Sequence, residues 1–169
     1  FPRGHAVTAA EKPRWRRIAG RVLRYVEHGL AAFGLGMLVY LSCFDLSRIV
    51  SPSMQPTLRG TDYQNGDLVL SERVSFWFRR PRRWEVVAVQ TDDGRQIMKR
   101  VVGLPGESVR ILRGNRVLID GEELQPPPSL DFLHYIPYGN LTGGKAASCQ
   151  DGYYVLGDDS KDSDDSRFN

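Results

Sequence analysis

Ser51-Pro52-Ser53-Met54-Gln55-Pro56-Thr57-Leu58 and Met98-Lys99-Arg100-Val101-Val102-Gly103-Leu104-Pro105-Gly106-Glu107 are the two runs from which the rest of this chain is read. The first offers a serine just after an apolar segment of nearly membrane length. The second sets a lysine inside a strand-like run. A serine hydroxyl is a poor nucleophile until a base takes its proton, and a lysine of lowered pKa can be that base. Side chains two apart along a strand share a face, so Ile97, Lys99 and Val101 point the same way. Apolar neighbours disfavour an ammonium ion. To act as a base, the lysine must fall from about 10.4 to roughly 7–8. From spacing alone, an edge-strand lysine whose amine reaches water fits the pattern better.

Working outward, Gly29 to Phe44 carries no charge over 16 residues. That is slightly short of the roughly 17–25 of a spanning helix. Tyr25 and Val26 extend it on one side, and Leu46, Ile49 and Val50 on the other. Six basic residues lie between Lys12 and Arg24, while Arg48 stands alone after the segment. The excess of positive charge on the N-terminal flank places that end in the cytoplasm and the bulk of the chain outside. A serine and a lysine beyond such an anchor suggest a peptidase working at a membrane surface. A cleaved signal peptide has the same basic-then-apolar order, but no small-x-small site follows. Leu41-Ser42-Cys43 weakly matches a lipoprotein cleavage box, and a buried soluble helix also fits the marginal length.

Residues 1–28 hold seven basic and two acidic residues, whereas the rest of the chain holds 16 and 18. The basic excess therefore lies in the tail, and a nucleic-acid-binding domain would need it on the folded part. The two cysteines, Cys43 and Cys149, form no framework and no zinc spacing. The chain starts at Phe1 rather than Met and stops at Asn169 just after a motif, so it reads as a fragment at both ends, C-terminally incomplete.

From Ser51 onward the pattern is β. Strands are expected at 67–71, 85–90, 96–102, 109–112, 116–119 and 153–156, separated by Asn65-Gly66, Asp93-Gly94, Gly114-Asn115 and Asp120-Gly121 turns. Residues 125–150, rich in Pro and Gly, read as loop. In Val74–Trp84, three consecutive aromatics cannot share one strand face, and four arginines follow them. That segment is expected to touch lipid headgroups.

Four blocks in order, after an anchor, carry a family resemblance: Ser51–Leu58, Gly66–Leu70, Lys99–Glu107 and Gly157–Arg167. The chain resembles the type I signal peptidases, the serine–lysine leader peptidases of bacterial, thylakoid and inner mitochondrial membranes. The resemblance implies that Ser53 is the nucleophile and Lys99 the general base. It implies that the Ser51 hydroxyl and the Ser53 N–H form the oxyanion hole, and that Ser163 holds the lysine amine. Asp165 and Arg167 match a supporting ion pair. Leu58 and Ile97 match positions lining shallow pockets for small substrate side chains. Three departures stand out: Pro52 between the two serines, Asp159-Ser160 where bacterial members usually carry Asn-Arg, and Trp84-Glu85 in place of Gly-Asp.

The resulting expectation is a mostly β protein: one N-terminal transmembrane helix, then an extracytoplasmic β-sheet peptidase domain with an inserted β-hairpin region. The tail is 1–28, the anchor 29–48 and the catalytic domain 49–169, with core 49–103 and 152–169 and insertion 104–151. It would remove signal peptides from exported proproteins after small residues, through an acyl-enzyme. It needs no metal or organic cofactor, meets preproteins and membrane lipids but no nucleic acid, and sits in the cell membrane rather than an organellar inner membrane. Its alternative is an inactive, membrane-anchored binding module of the same fold. A Ser-His-Asp triad would have to use His134, since His5 and His28 fall on the cytoplasmic side. A Ser-x-x-Lys arrangement fails because Pro56 follows Ser53 by three. The aspartates of 158–165 lack the glycine and closing glutamate of a helix–loop–helix calcium site. Soluble serine–lysine self-cleaving repressors share the chemistry but lack an anchor.

Overall fold

A computed structural model describes residues 14–168. Lys12, His5 and the rest of residues 1–13, together with Asn169, lie outside the described residues. Two units are distinct: residues 1–43 and residues 44–169.

In the first unit, helix α1 covers Arg14–Cys43. Its 30 residues give a length of about 45 Å at 1.5 Å per residue. It is long and apolar enough to cross a membrane, and none of its most apolar stretch is buried against protein. The helix starts well before residue 29 and ends at Cys43. The expected continuation of the anchor through Leu46 to residue 48, and on to Ile49 and Val50, is not helical. Phe44–Arg48 is strand β1 instead. The reason is in the sequence: Phe44, Leu46 and Arg48 alternate with Asp45 and Ser47, a period of two.

The second unit is mostly β, as expected, and every strand pair is antiparallel. Strand β1 pairs with β2 (Leu68–Glu72) in a two-stranded ribbon. A short helix, α2 (Ser75–Phe78), follows. Strands β3 (Val86–Gln90), β4 (Gln96–Gly103) and β9 (Tyr154–Leu156) form a sheet with β4 in the middle. Strands β5 (Ser108–Leu112), β6 (Arg116–Ile119), β7 (Glu122–Leu124) and β8 (Ala146–Ser148) form another, in the order β7-β6-β5-β8. Asn115, Asp120 and Gly121 take positive φ at the β5–β6 and β6–β7 turns.

The 125–150 segment is not a plain loop. It contains two 3-10 turns, Pro128–Leu130 and Gly139–Gly144, and strand β8. Its Leu133, Tyr135 and Leu141 are buried in the main core with Val102, Val109 and Leu156. Prolines and glycines hide this because they break any period while the side chains between them still pack. A smaller core joins Ile49, Met54 and Met98, with Leu58, Val69 and Val86 against it. This second cluster anchors the serine block to β4.

Candidate active site

Ser53 lies in a one-turn 3-10 helix, Pro52–Met54, whose first position suits proline's fixed φ. Met54 plugs the smaller core, so its neighbour Ser53 is held with 7% of its surface exposed. The Gly66-Asp67 block fixes the approach. Ile49 N–H donates to Asp67 O at 2.9 Å, and Arg59 N–H donates to Asp67 Oδ2 at 2.7 Å. A Cβ on Gly66 would collide with Ile49 O.

Lys99 stands in the middle of β4, opposite Val87 of β3, with 2% of its surface exposed. The edge-strand reading is therefore excluded, since β4 is central and the amine is buried. Lys99 Nζ donates to Ser53 Oγ at 2.9 Å. With the amine neutral, the same contact lets Ser53 donate to nitrogen. Burial pushes the Lys99 pKa below the ordinary lysine value. Asp165, Asp164 and Asp158 pull it back up, while Arg167 adds to the lowering. Ser51 Oγ lies 3.2 Å from Ser53 Oγ.

The last block closes over this pair. Asp159 N–H donates to Ser53 O at 3.1 Å. Gly157 is wedged so tightly that a Cβ there would meet both Ser53 O and Ser163 Oγ. Ser163 Oγ donates to Asp165 Oδ2 at 2.6 Å. Among the described residues no hydrogen bond joins Ser163 to Lys99; Ser163 is tied to Asp165, whose charge acts on the lysine. The Asp165–Arg167 ion pair is present and fully buried, at 2.8 Å. Burial alone would raise the Asp165 carboxyl. The Arg167 guanidinium, the Ser163 hydroxyl and the Gly157 N–H outweigh it and hold the pKa below the usual carboxylate value.

A second buried pair was not read from the sequence. Arg100 Nε and Nη2 donate to Asp158 Oδ1 and Oδ2 at 2.8 and 2.6 Å. Thr57 Oγ1 donates to Asp158 as well, and Arg100 Nη1 donates to Trp84 O at 2.7 Å. This network ties the serine block, β4 and the last block together. Its one signal in the sequence is strand alternation, which turns Arg100 away from Lys99.

Ile97 lines a cleft of about 540 Å³ with Ser51, Ser53, Met98 and Tyr63. Leu58 does not join it there. Its N–H donates to Met54 O, one turn on, and it lines a separate cleft with Val69, Phe76 and Val86. His134 is exposed between buried Leu133 and Tyr135, and among the described residues no Ser-His hydrogen bond supports a triad. Asp158 and Asp165 are taken by arginines, and among the described residues no His, Cys, Asp and Glu group is placed to hold a metal.

The chain matches the family described as signal peptidase, peptidase S26, over residues 22–169. It is 32% identical to the probable signal peptidase I-2 of Synechocystis sp., over 71% of this chain and 53% of that protein. It is 30% identical to the signal peptidase I of Leptolyngbya laminosa, over 83% of this chain and 70% of that protein. A crystal structure of a signal peptidase I from Enterococcus faecalis covers 53% of this chain and 86% of that one, at 29% identity and a TM-score of 0.41. The chain thus spans about half the length of the Synechocystis relative. With four motif blocks in order and a match over most of its length, the chain belongs to the type I signal peptidases of the S26 family, serine endopeptidases anchored in membranes.

Proposed function

We propose that this chain removes signal peptides from exported preproteins after small residues, with Ser53 as nucleophile and Lys99 as general base. The observation that carries the reading is the 2.9 Å contact between a buried Lys99 Nζ and Ser53 Oγ. Neutral Lys99 takes the Ser53 proton as Oγ attacks the scissile carbonyl. The oxyanion that forms is met by the Ser53 N–H and the Ser51 hydroxyl, donors of the kind worth several kcal/mol in a transition state. The Lys99 ammonium then protonates the leaving amine, and an acyl-enzyme remains on Ser53. Lys99 next takes a proton from water, the resulting hydroxide equivalent attacks the ester, and Ser53 recovers its proton. Asp165, Arg167 and Ser163 hold the lysine's surroundings, and Ile97 contributes to the substrate cleft.

The domain plan follows the same reading. The basic cytoplasmic segment, residues 1–28, runs into the first half of α1, where Arg14, Arg16, Arg17, Arg21 and Arg24 lie, and the apolar second half of α1 spans the cell membrane. The β unit lies outside, with residues 104–151 inserted between the two halves of the catalytic core. Phe76, Trp77 and Phe78 are exposed, Trp77 by 62% and Phe78 by 83%, and support contact with lipid. The test is purified full-length chain in detergent with a preprotein, the products identified by mass. Cleavage after a small residue at the signal peptide's end supports the reading, and an intact preprotein contradicts it.

A further inference from the structure

The buried Arg167 guanidinium has five N–H groups, and each has an acceptor. Nε and Nη2 donate to Asp165 Oδ1 and Oδ2, both at 2.8 Å, and Nη2 also reaches Ser163 O at 3.4 Å. Nη1 donates to Ser160 Oγ at 2.6 Å and to Ile136 O at 3.2 Å. Ser160 Oγ accepts a second hydrogen bond, from Ile136 N–H at 3.0 Å. Ile136 belongs to the segment between β7 and β8, far from the serine block in sequence. The same segment grips the last block again, where Asn140 N–H donates to Arg167 O at 2.7 Å. Ser160 is itself buried, at 4% exposure.

We infer that Ser160 is a positioning residue for the Ser53–Lys99 reaction, the side-chain link by which the β7–β8 segment, beside its backbone bonds to Arg167, holds the guanidinium, and with it the Asp165–Ser163 pair, against the dyad. The inference rests on the catalytic reading above. It is carried by the double role of one buried hydroxyl, which accepts from both the inserted segment and the guanidinium. Removing it leaves a buried guanidinium N–H and the part-buried Ile136 N–H short of an acceptor, a costly state away from water. Arg167 is then drawn toward Ile136 O, its other Nη1 acceptor, and loosens from Asp165.

The charged groups that act on Lys99 are Asp158, Asp164 and Asp165, which favour its ammonium form, and Arg167, which opposes it. Arg100 already neutralises Asp158. A loosened Arg167 leaves Asp165 less compensated, so the protonated lysine gains. Activity that requires neutral Lys99 is then lost first at the acid side of the profile, and the loss disappears at high pH.

The experiment titrates the Lys99 amine by NMR in full-length chain labelled at lysine Cε, alongside kcat and KM against pH on a preprotein. Ser160→Ala should move the Lys99 midpoint up by about half a pH unit. It should lower kcat about threefold near neutral pH, the factor that half a unit gives, with KM unchanged and the two profiles meeting at high pH. Ser160→Thr should restore both. If Ser160→Ala does not fold, Ser160→Cys keeps the volume with a weaker acceptor and should shift the midpoint the same way. An unmoved midpoint, or a loss equal at every pH, overturns the inference. The titration needs no turnover, so a parent chain that cleaves nothing would contradict the proposed function without deciding this point.

Discussion

Lys99 carries opposing forces in one side chain. Burial in β4 favours the neutral amine, and three aspartates of the last block favour the ammonium. The net effect is a folded pKa below the unfolded value of about 10.4. Between those two values the unfolded chain binds more protons than the folded one, so this site's contribution to stability rises with pH. Lys99→Met removes the cost of burying an ionisable group. The variant should therefore be more stable than the parent in urea at pH 6, with the gap closing toward pH 10. A gap that does not change with pH would contradict the lowered pKa. The residue's role was legible only in part. Alternation placed it between Ile97 and Val101, but the sequence did not show that β4 is flanked on both sides, and that flanking is what buries it.

At the scale of elements, β4 serves two faces with consecutive residues. Lys99 meets Ser53, and Arg100 meets Asp158, 58 residues away in sequence. The last block binds to both faces at once, and Gly157 is the point of closest approach. Gly157→Ala should push Ser53 O and Ser163 Oγ apart and lower kcat about 100-fold, as small misplacements in a reacting pair do. Circular dichroism should show the fold retained. A variant with near-parental kcat would show that the contact is slack. The strands with clean alternation and turn signals, β2 to β6, and β9 were legible in the sequence. Strands β1, β7 and β8 were not, because each is short or adjoins a segment with stronger signals of another kind. The Arg100–Asp158–Thr57 network was hidden because its members are brought together only by the tertiary fold. Leu58, packed against the cluster that holds Met54, lines the cleft with Val69, Phe76 and Val86 and not the one with Ser53 and Ile97.

At the scale of the molecule, polarity is divided. The helix α1 is exposed along its apolar length. The β1–β2 ribbon shows Phe44, Leu46, Leu68 and Leu70 on one exposed face. The aromatic turn at α2 adds Trp77 and Phe78. Arg79 and Arg83 are committed to Glu85 and Glu107, at 2.8 and 2.6 Å, which leaves Arg80 and Arg82 for anionic headgroups. A soluble form starting at Phe44, which keeps β1, should bind vesicles rich in phosphatidylglycerol. Trp77→Ala with Arg80 and Arg82 changed to Gln should weaken that binding by roughly tenfold or more, at about 1 kcal/mol for each arginine near the surface. Equal binding by both forms would reject lipid contact at this turn and leave the Ser53–Lys99 chemistry untouched.

In the proposed reaction Ser53 attacks the bond at the end of the signal peptide while Lys99 takes its proton. The most direct measurement is preprotein cleavage by Ser53→Ala beside the parent, both full length and both shown folded. Ser51 remains in the variant, 3.2 Å from the position the lost hydroxyl occupied, so residual activity would expose a substitute nucleophile. With Ser53 as nucleophile, Ser53→Ala shows no processing above background while the parent removes the signal peptide cleanly; cleavage by the variant within tenfold of the parent rate would contradict that role.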